Sequence, residues 1–254
     1  MARIINITYP GSLHNHTDFS NLRLRDCINK IPDLIDYAIQ LGHSGIAITD
    51  HETISGHIKA EEYVAKLKKK NPDNEQIQKF KLVLGNEIYL VRNGLCAENY
   101  IPKQDQYFHF ILLAKDKIGH KQIREISTRA WRRSYMARNM RRVPTYYQDI
   151  IDIIGANPGH VIGSTACLGG QLPAKILSFY KTNDPNEKAY IYAWCQRMNE
   201  IFGEGNFYFE MQPSANCDQK LVNNFLCELS KELNIPYIIT TDSHYLKKED
   251  ANIH

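Results

Sequence analysis

Short apolar runs alternate with helix-period segments along nearly the whole chain, and this alternation constrains the fold more than any other feature of the sequence. Residues 12–16 are read as a short strand. Residues 32–41 are predicted to be a helix, with Pro32 in its first turn and Gly42 as its stop. Gly45 to Thr49 is predicted to be a buried strand, Ser55 to Lys70 a helix closed by Asn71-Pro72, and Lys79 to Leu90 a strand interrupted by Gly85. Phe108 to Ala114 is predicted to be another strand, followed by a long basic helix over 117–140. The second half repeats the rhythm: a strand over His160 to Thr165, helices near 172–181 and 186–202, a strand over Phe207 to Met211, a helix over Asp218 to Leu233 stopped by Asn234, and a last strand over Pro236 to Thr241. Strands alternating with helices predict an α/β fold with a parallel sheet. About seven such strands in 254 residues suit one closed or nearly closed barrel better than two small domains. No internal repeat is evident, and residues 66–79 are the most loop-like stretch.

Composition narrows the setting. Lys plus Arg total 31 against 28 Asp plus Glu, a net charge of +3 that is too mild to argue for nucleic acid in bulk, so any such argument rests on local clusters. No segment approaches the roughly 18 consecutive apolar residues of a membrane span, and the N-terminus lacks a signal-peptide pattern. The expected setting is cytoplasmic, without a membrane. Six cysteines without a Cys-x-x-Cys pair predict mostly reduced thiols.

Metal-capable side chains collect at strand ends. His14 and His16 stand at i and i+2, on one face of an extended segment. Asp50-His51 ends the second strand, Glu87 lies on the third, His109 sits in Phe108-His109-Phe110, Cys167 follows the strand over 160–165, and Asp242 and His244 follow the last strand. Each alone has a bland reading: a packed core histidine, a paired carboxylate, a buried thiol. Together they fall where parallel α/β folds assemble sites, on the face formed by the C-terminal strand ends. Imidazole, thiolate and carboxylate are ligands of Zn²⁺, Mn²⁺ and iron, and eight or nine of them imply two or three ions. Ions about 3.5–4 Å apart clamp the oxygens of an in-line displacement at phosphorus. His43, His57, His120 and His160 fit this placement less well and are read as ordinary histidines.

The runs His14-Asn15-His16-Thr17-Asp18-Phe19-Ser20, Gly45-Ile46-Ala47-Ile48-Thr49-Asp50-His51, Gly85-Asn86-Glu87-Ile88-Tyr89, Ala166-Cys167-Leu168-Gly169-Gly170 and Thr241-Asp242-Ser243-His244-Tyr245 resemble motifs of the polymerase and histidinol phosphatase (PHP) superfamily. They look most similar to the N-terminal PHP domain of bacterial and phage replicative DNA polymerase III α subunits. The resemblance spans essentially the whole chain, 1–254, as a single domain. It implies a distorted (β/α)7 barrel with a trinuclear metal site held by His14, His16, an acidic residue, His51, Glu87, His109, Cys167, Asp242 and His244. Asp26, in Leu24-Arg25-Asp26-Cys27, is the better match for the acidic position, with Asp18 as its rival.

The resemblance further implies a metal-dependent 3′–5′ exonuclease suited to proofreading, with Zn²⁺ or Mn²⁺ as cofactors, iron as a further candidate, and Glu87, Asp242 and His244 carrying the chemistry. The implied partners are DNA at a primer 3′ end, the rest of the polymerase α subunit and a separate proofreading subunit. No paired-aspartate palm motif is present, so the expectation is the N-terminal fragment of a longer polymerase. Two other readings stay open: a metal-stabilised structural module without activity, and a free-standing phosphomonoesterase.

One feature stands outside these motifs. Residues 124–142 carry seven arginines with Trp131 and Tyr135. They suit contact with DNA phosphates and bases. The favoured expectation is a solvated helix face, or one docked on the remainder of a polymerase.

Overall fold

The computed structural model describes residues 11–22, 25–91, 98, 101 and 106–253. Its strands are β1 (Gly45–Ile48), β2 (Lys81–Val91), β3 (Phe108–Ala114), β4 (Tyr135–Ala137), β5 (Met140–Arg142), β6 (Pro144–Tyr146), β7 (Val161–Ser164), β8 (Phe207–Met211) and β9 (Tyr237–Ile239). Its helices are α1 (Ile31–Gln40), α2 (His57–Lys70), α3 (Glu75–Lys79), α4 (Lys117–Arg132), α5 (Tyr147–Ile150), α6 (Gln171–Thr182), α7 (Pro185–Phe202) and α8 (Cys217–Leu233), with a π-helical turn over Ile151–Gly155. The main sheet runs β1-β2-β3-β7-β8-β9, with β6 added beside β2.

The chain is α/β as predicted, but the sheet is mixed. β1 pairs with β2, β7 with β8, and β8 with β9 in parallel, whereas β3 is antiparallel to both β2 and β7. The prediction of an all-parallel sheet is corrected here: no helix bridges β2 and β3 among the described residues, so the chain returns down the sheet beside the strand it has just left. Residues 12–16 are not a strand either. They make isolated bridges, Ser12 to Ile46 and Asn15 to Ser243, and so touch both ends of the sheet. The sheet curls to allow this. The amide of Ala47 donates to Ser12 O at 2.8 Å, and the amide of His16 donates to Ser243 O at 2.9 Å.

Three further boundaries differ. The helix predicted over 117–140 stops at Arg132, and Tyr135 to Arg142 folds back as the β4–β5 hairpin, with Arg138 in its turn at φ +56°. The stretch 66–79 is largely helical, α2 reaching Lys70 and α3 starting at Glu75 under an Asn74 cap. The last strand ends at Ile239 rather than Thr241. The stops read from sequence behave as expected: Gly42 takes φ +80° after α1, and Asn234 takes φ +52° after α8.

Alternation along the strands separates two faces. Ile88 and Leu90 of β2, Phe110 and Leu112 of β3, Val161 of β7, and Phe207, Phe209 and Met211 of β8 point outward into a core shared with α4, α6, α7 and α8. Phe110, Phe202 and Phe207 stack there, with centroids 5.7–6.3 Å apart. Ile46 and Ile48 of β1 meet α1 and α2 in a second cluster with Ile31, Ile35, Val64 and Phe80. Among the described residues the opposite face holds a small buried apolar plug of Ala47, Ile111, Leu113 and Ala166, with Leu13, Val83 and Ile162 packed against it. The residues in phase with that plug at one end of the sheet are polar: Thr49, Glu87, His109, Ser164 and Glu210.

Candidate metal centre

Strands β1, β2, β3, β7, β8 and β9, or the turns that follow them, each contribute to one polar cluster at that end. The reversed direction of β3 explains how His109 joins it. His109 is the second residue of β3, and an antiparallel strand brings its N-terminal end to the face where its neighbours bring their C-terminal ends. Glu87 sits within β2 rather than at its end, bridged to His51 by a parallel pairing. The expectation that nearly every strand delivers its candidate at or near its own C-terminal end is therefore corrected for these two residues.

His14 and His16 are fully buried and converge on Asp242. The two Nε2 atoms lie 3.2 Å apart, and both face Asp242 Oδ1, at 3.1 Å from His14 and 3.0 Å from His16. His51 Nε2 and His244 Nε2 lie 3.4 Å apart, and the His16 ring stacks on His244 with centroids 4.3 Å apart. Glu87 contacts His51 Nδ1 through Oε2 and His109 Nδ1 through Oε1 at 2.9 Å, and Cys167 Sγ lies 3.4 Å from the same His109 nitrogen. Asp26 Oδ2 stands 3.7 Å from His51 Nε2 and 4.0 Å from His244 Nε2. Asp18, the rival, pairs instead with Lys30 at 2.7 Å. All nine residues named from the sequence, with Asp26 as the acidic one, thus face one cluster.

The donor set fits divalent cations. Bonds of 2.0–2.1 Å in a tetrahedral site put ligand atoms about 3.3 Å apart, close to the 3.0–3.4 Å separations within the His14–His16–Asp242 and His51–His244 groups. Three groups of three donors have their ligand atoms within 4.8 Å of one another: His16-His51-His244, His14-His16-Asp242 and Glu87-His109-Cys167. Both Glu87 oxygens and Asp242 Oδ1 are buried without a well-formed hydrogen bond, although buried polar atoms are nearly always satisfied. A cation bound between these donors would supply the missing partner.

Electrostatics point the same way. Burial opposes charge on His14, yet Asp242, Glu210 and Glu87 outweigh it and hold the imidazole well above its ordinary value. Burial and the neighbouring His51 press His16 down to about 3. His51, despite burial, is pushed up to about 10 by Glu87 and Asp26. Burial is likewise overcome at Glu87, held far down by His109 and His51, and at Asp242, held far down by His14 and His16. Burial and the nearby Asp242 and Glu87 raise the Cys167 thiol. The backbone is strained beside the cluster: Glu52, Ala166 and Asp242 have φ of +54°, +58° and +51°. Non-glycine residues in this region cost about 1–3 kcal/mol each and persist where the surroundings over-determine them.

Sequence reasoning missed the residues behind the cluster. Glu210, almost fully buried on β8, accepts from His14 Nδ1 at 2.6 Å, and also from Thr240 Oγ1 at 2.5 Å and Ser164 Oγ at 2.5 Å. It therefore turns His14 so that Nε2 faces the cluster. Asp50 is not a member but a clamp, accepting from Thr17 N at 2.6 Å and Ser20 Oγ at 2.8 Å. Tyr89 Oη lies 3.2 Å from His51 Nδ1. The signal for Glu210 was available: it stands near the C-terminal end of a parallel strand, where the other candidates were found.

The PHP domain family model matches residues 12–214. The chain belongs to the PHP domain family. A DNA-directed DNA polymerase of Bacillus phage SPbeta is 38% identical over 249 residues, covering 95% of this chain and 19% of that protein. The DNA polymerase III subunit alpha of Borreliella burgdorferi is 31% identical over 243 residues, covering 94% of this chain and 18% of that protein. The chain thus spans about a fifth of the length of these relatives. Among solved structures, a Bifidobacterium adolescentis protein provisionally assigned as a metal-dependent phosphoesterase superposes with a TM-score of 0.52 at 14% identity, over 94% of this chain and 89% of that one. An amidohydrolase from Chromobacterium violaceum, with bound sulfate and no metal, gives 0.51 at 12% identity, over 92% of this chain and 87% of that one. These two likenesses are of fold. No helix among the described residues is long and apolar enough to cross a membrane.

Proposed function

We propose that this PHP domain is a divalent-metal phosphodiesterase acting at the 3′ end of DNA, and that it works as part of a polymerase of the DNA polymerase III α type. The polymerase relatives carry the context. The chemistry rests on one observation: three donor triads, each with ligand atoms within 4.8 Å of one another, adjoin, His16 lying in two of them and Glu87 of the third contacting His14, His16 and His51 of the others. In this reading His14, His16, Asp26, His51, Glu87, His109, Cys167, Asp242 and His244 hold two or three ions of Zn²⁺ or Mn²⁺, iron being a further candidate. Bound ions would lower the pKa of a water and neutralise charge on phosphate oxygens.

The protein's own part is positional. Glu87 and Asp242 each face two or more imidazoles and so set their relative placement. His244 is oriented by its contact to the Asp242 carbonyl at 3.0 Å. Glu87 and the His14–His16 pair are sealed from solvent, while His109 and Asp242 keep side-chain exposures of 24% and 19% and form the open rim. A terminal phosphate would approach there. The same reading takes the curled sheet as a distorted (β/α)7 barrel, residues 12–16 serving as the strand that closes it, and takes 1–254 as one domain.

The test loads the purified protein with Mn²⁺ or Zn²⁺ and follows a primer with a mismatched 3′ end. Stepwise 3′–5′ shortening that Asp242→Asn abolishes is expected, and metal-loaded protein that leaves the primer intact refutes it. A second reading, a structural module, is favoured by the seam. The cluster joins His14 to Asp242 where Asn15 bridges Ser243, so metal would lock the two ends of the sheet together. It predicts a lower melting temperature on chelation with no activity to lose.

A further inference from the structure

The seven arginines of residues 124–142 become two different sets once folded. Arg129 pairs with Glu125 at 2.9 Å and reaches Asp152 at 3.4 Å, and Arg133 binds Asp149 at 2.6 Å while lying over the Tyr146 ring. Arg142 lies over the Tyr107 ring, 4.7 Å from its centroid. These three are absorbed by the fold. Arg124 sits at the far end of the sheet beside Lys115 and Asp116. Arg132, Arg138 and Arg141 are exposed, and none pairs with a carboxylate among the described residues. From Ile126 to Gln148 the sequence has no acidic residue at all.

These three arginines are carried to the metal face by two anchors. Trp131 Nε1 donates to Glu52 O at 2.7 Å, the residue after His51. The cleft that Trp131 and Arg132 line against Thr53, Ile54 and Ser55 therefore opens beside the centre. The β4–β5 hairpin meets Tyr107 through Tyr135, and Tyr107 lies two residues before His109 on the exposed rim. The end of α4 and the hairpin thus present cations, with Met136 exposed between them, along the approach to the His109 side of the cluster's rim.

We propose that Arg132, Arg138 and Arg141 form a sequence-independent track for the sugar–phosphate backbone of single-stranded DNA, leading its 3′ end to the metal centre; this rests on the DNA reading above. The contacts are ionic, so they carry affinity and salt dependence rather than base preference. A single strand fits because a duplex end must fray before its terminal phosphate reaches a recessed centre.

The test measures binding of a fluorescein-labelled oligothymidylate by anisotropy, with the full chain in EDTA, between about 50 and 200 mM salt. The variant R132A/R138A/R141A is expected to bind at least tenfold more weakly. Its log–log salt slope should fall by about 2, from about 0.7 per lost contact on a single strand. R132K/R138K/R141K should recover most of the affinity, which separates charge from folding. K68A/K69A/K70A, at the C-terminal end of α2 on the opposite side, should change affinity by less than twofold. Affinity and slope unchanged in the alanine variant overturn the track and assign the face to a protein partner. An equal loss in the α2 variant overturns it as diffuse attraction. Cleavage of bis(p-nitrophenyl) phosphate by the metal-loaded protein reads the centre alone. Its absence with arginine-dependent binding refutes the hydrolase reading and leaves the track standing.

Discussion

Replacing Glu210 with glutamine tests whether the buried carboxylate behind His14 acts through the metal centre. Glu210 Oε1 accepts from His14 Nδ1 at 2.6 Å, which turns Nε2 toward His16 and Asp242, where it would give its lone pair to a cation once its own proton leaves. Glutamine keeps the volume and one acceptor, so the ring can stay in place. The remaining bond is neutral rather than charge-assisted, roughly half as strong, and the imidazole loses a charge that raised its basicity. Carboxylate partners of ligating histidines typically contribute 10–100-fold in metal affinity, or about 1.4–2.7 kcal/mol. Glu210→Gln is therefore expected to weaken Zn²⁺ binding by that range, measured by competition with a chromogenic chelator after EDTA dialysis. The amide left facing Ser164 finds a rotatable hydroxyl, so the midpoint of urea unfolding of the metal-free protein should move little. An affinity within twofold of the parent refutes the orienting role. A thousandfold loss refutes it equally, because that would make Glu210 a ligand.

Four other outcomes follow from the structure. Metal loading at pH 7.5 should release about two to three protons, since His14, His51 and Cys167 all hold theirs in the chelated protein; titration calorimetry in buffers of different ionisation enthalpy reads the number, and a buffer-independent heat contradicts the assignment. His51, raised to about 10, stabilises the metal-free fold fully below about pH 6.5 and loses that contribution as pH climbs toward 10, so chelated protein should melt lower at pH 9.5 than at pH 6. Chelation from a metal concentration a thousandfold above Kd removes about 4 kcal/mol, a fall of roughly 8–16 °C in Tm by scanning calorimetry; Gly119→Ala, whose Cβ would lie 1.9 Å from His160 O, should destabilise by about 3 kcal/mol in urea without changing metal affinity.

The candidate centre was more legible in the sequence than the sheet that carries it. His14 and His16 were grouped as neighbours on an extended strand. They do act together, although the segment makes only isolated bridges, because two residues of extended backbone suffice to point both rings one way. Asp26 could not be separated from Asp18 by spacing; the Lys30 side chain that engages Asp18 comes from folding. Strand direction was illegible for a physical reason: the period-two pattern of β3 is identical whichever way the strand runs. The overrun of α4 has a similar cause. Nothing in Arg133-Ser134-Tyr135 breaks a helix, and the hairpin is held instead by partners far away in sequence, Tyr107 above all. Glu210 looked like any strand carboxylate because its role depends on His14, 196 residues away.

That separation has a consequence for how the protein is made. Residues 12–16 leave the ribosome well ahead of the partners that hold them, Asp242 and Ser243, on the far side of the fold's sequence. At ordinary synthesis rates the gap is roughly 10–50 s. Through that interval His14 and His16 belong to an open chain with no mates for their imidazoles. The seam therefore closes only after Ser243 has emerged, and an ion arriving earlier would meet an unfinished set of ligands.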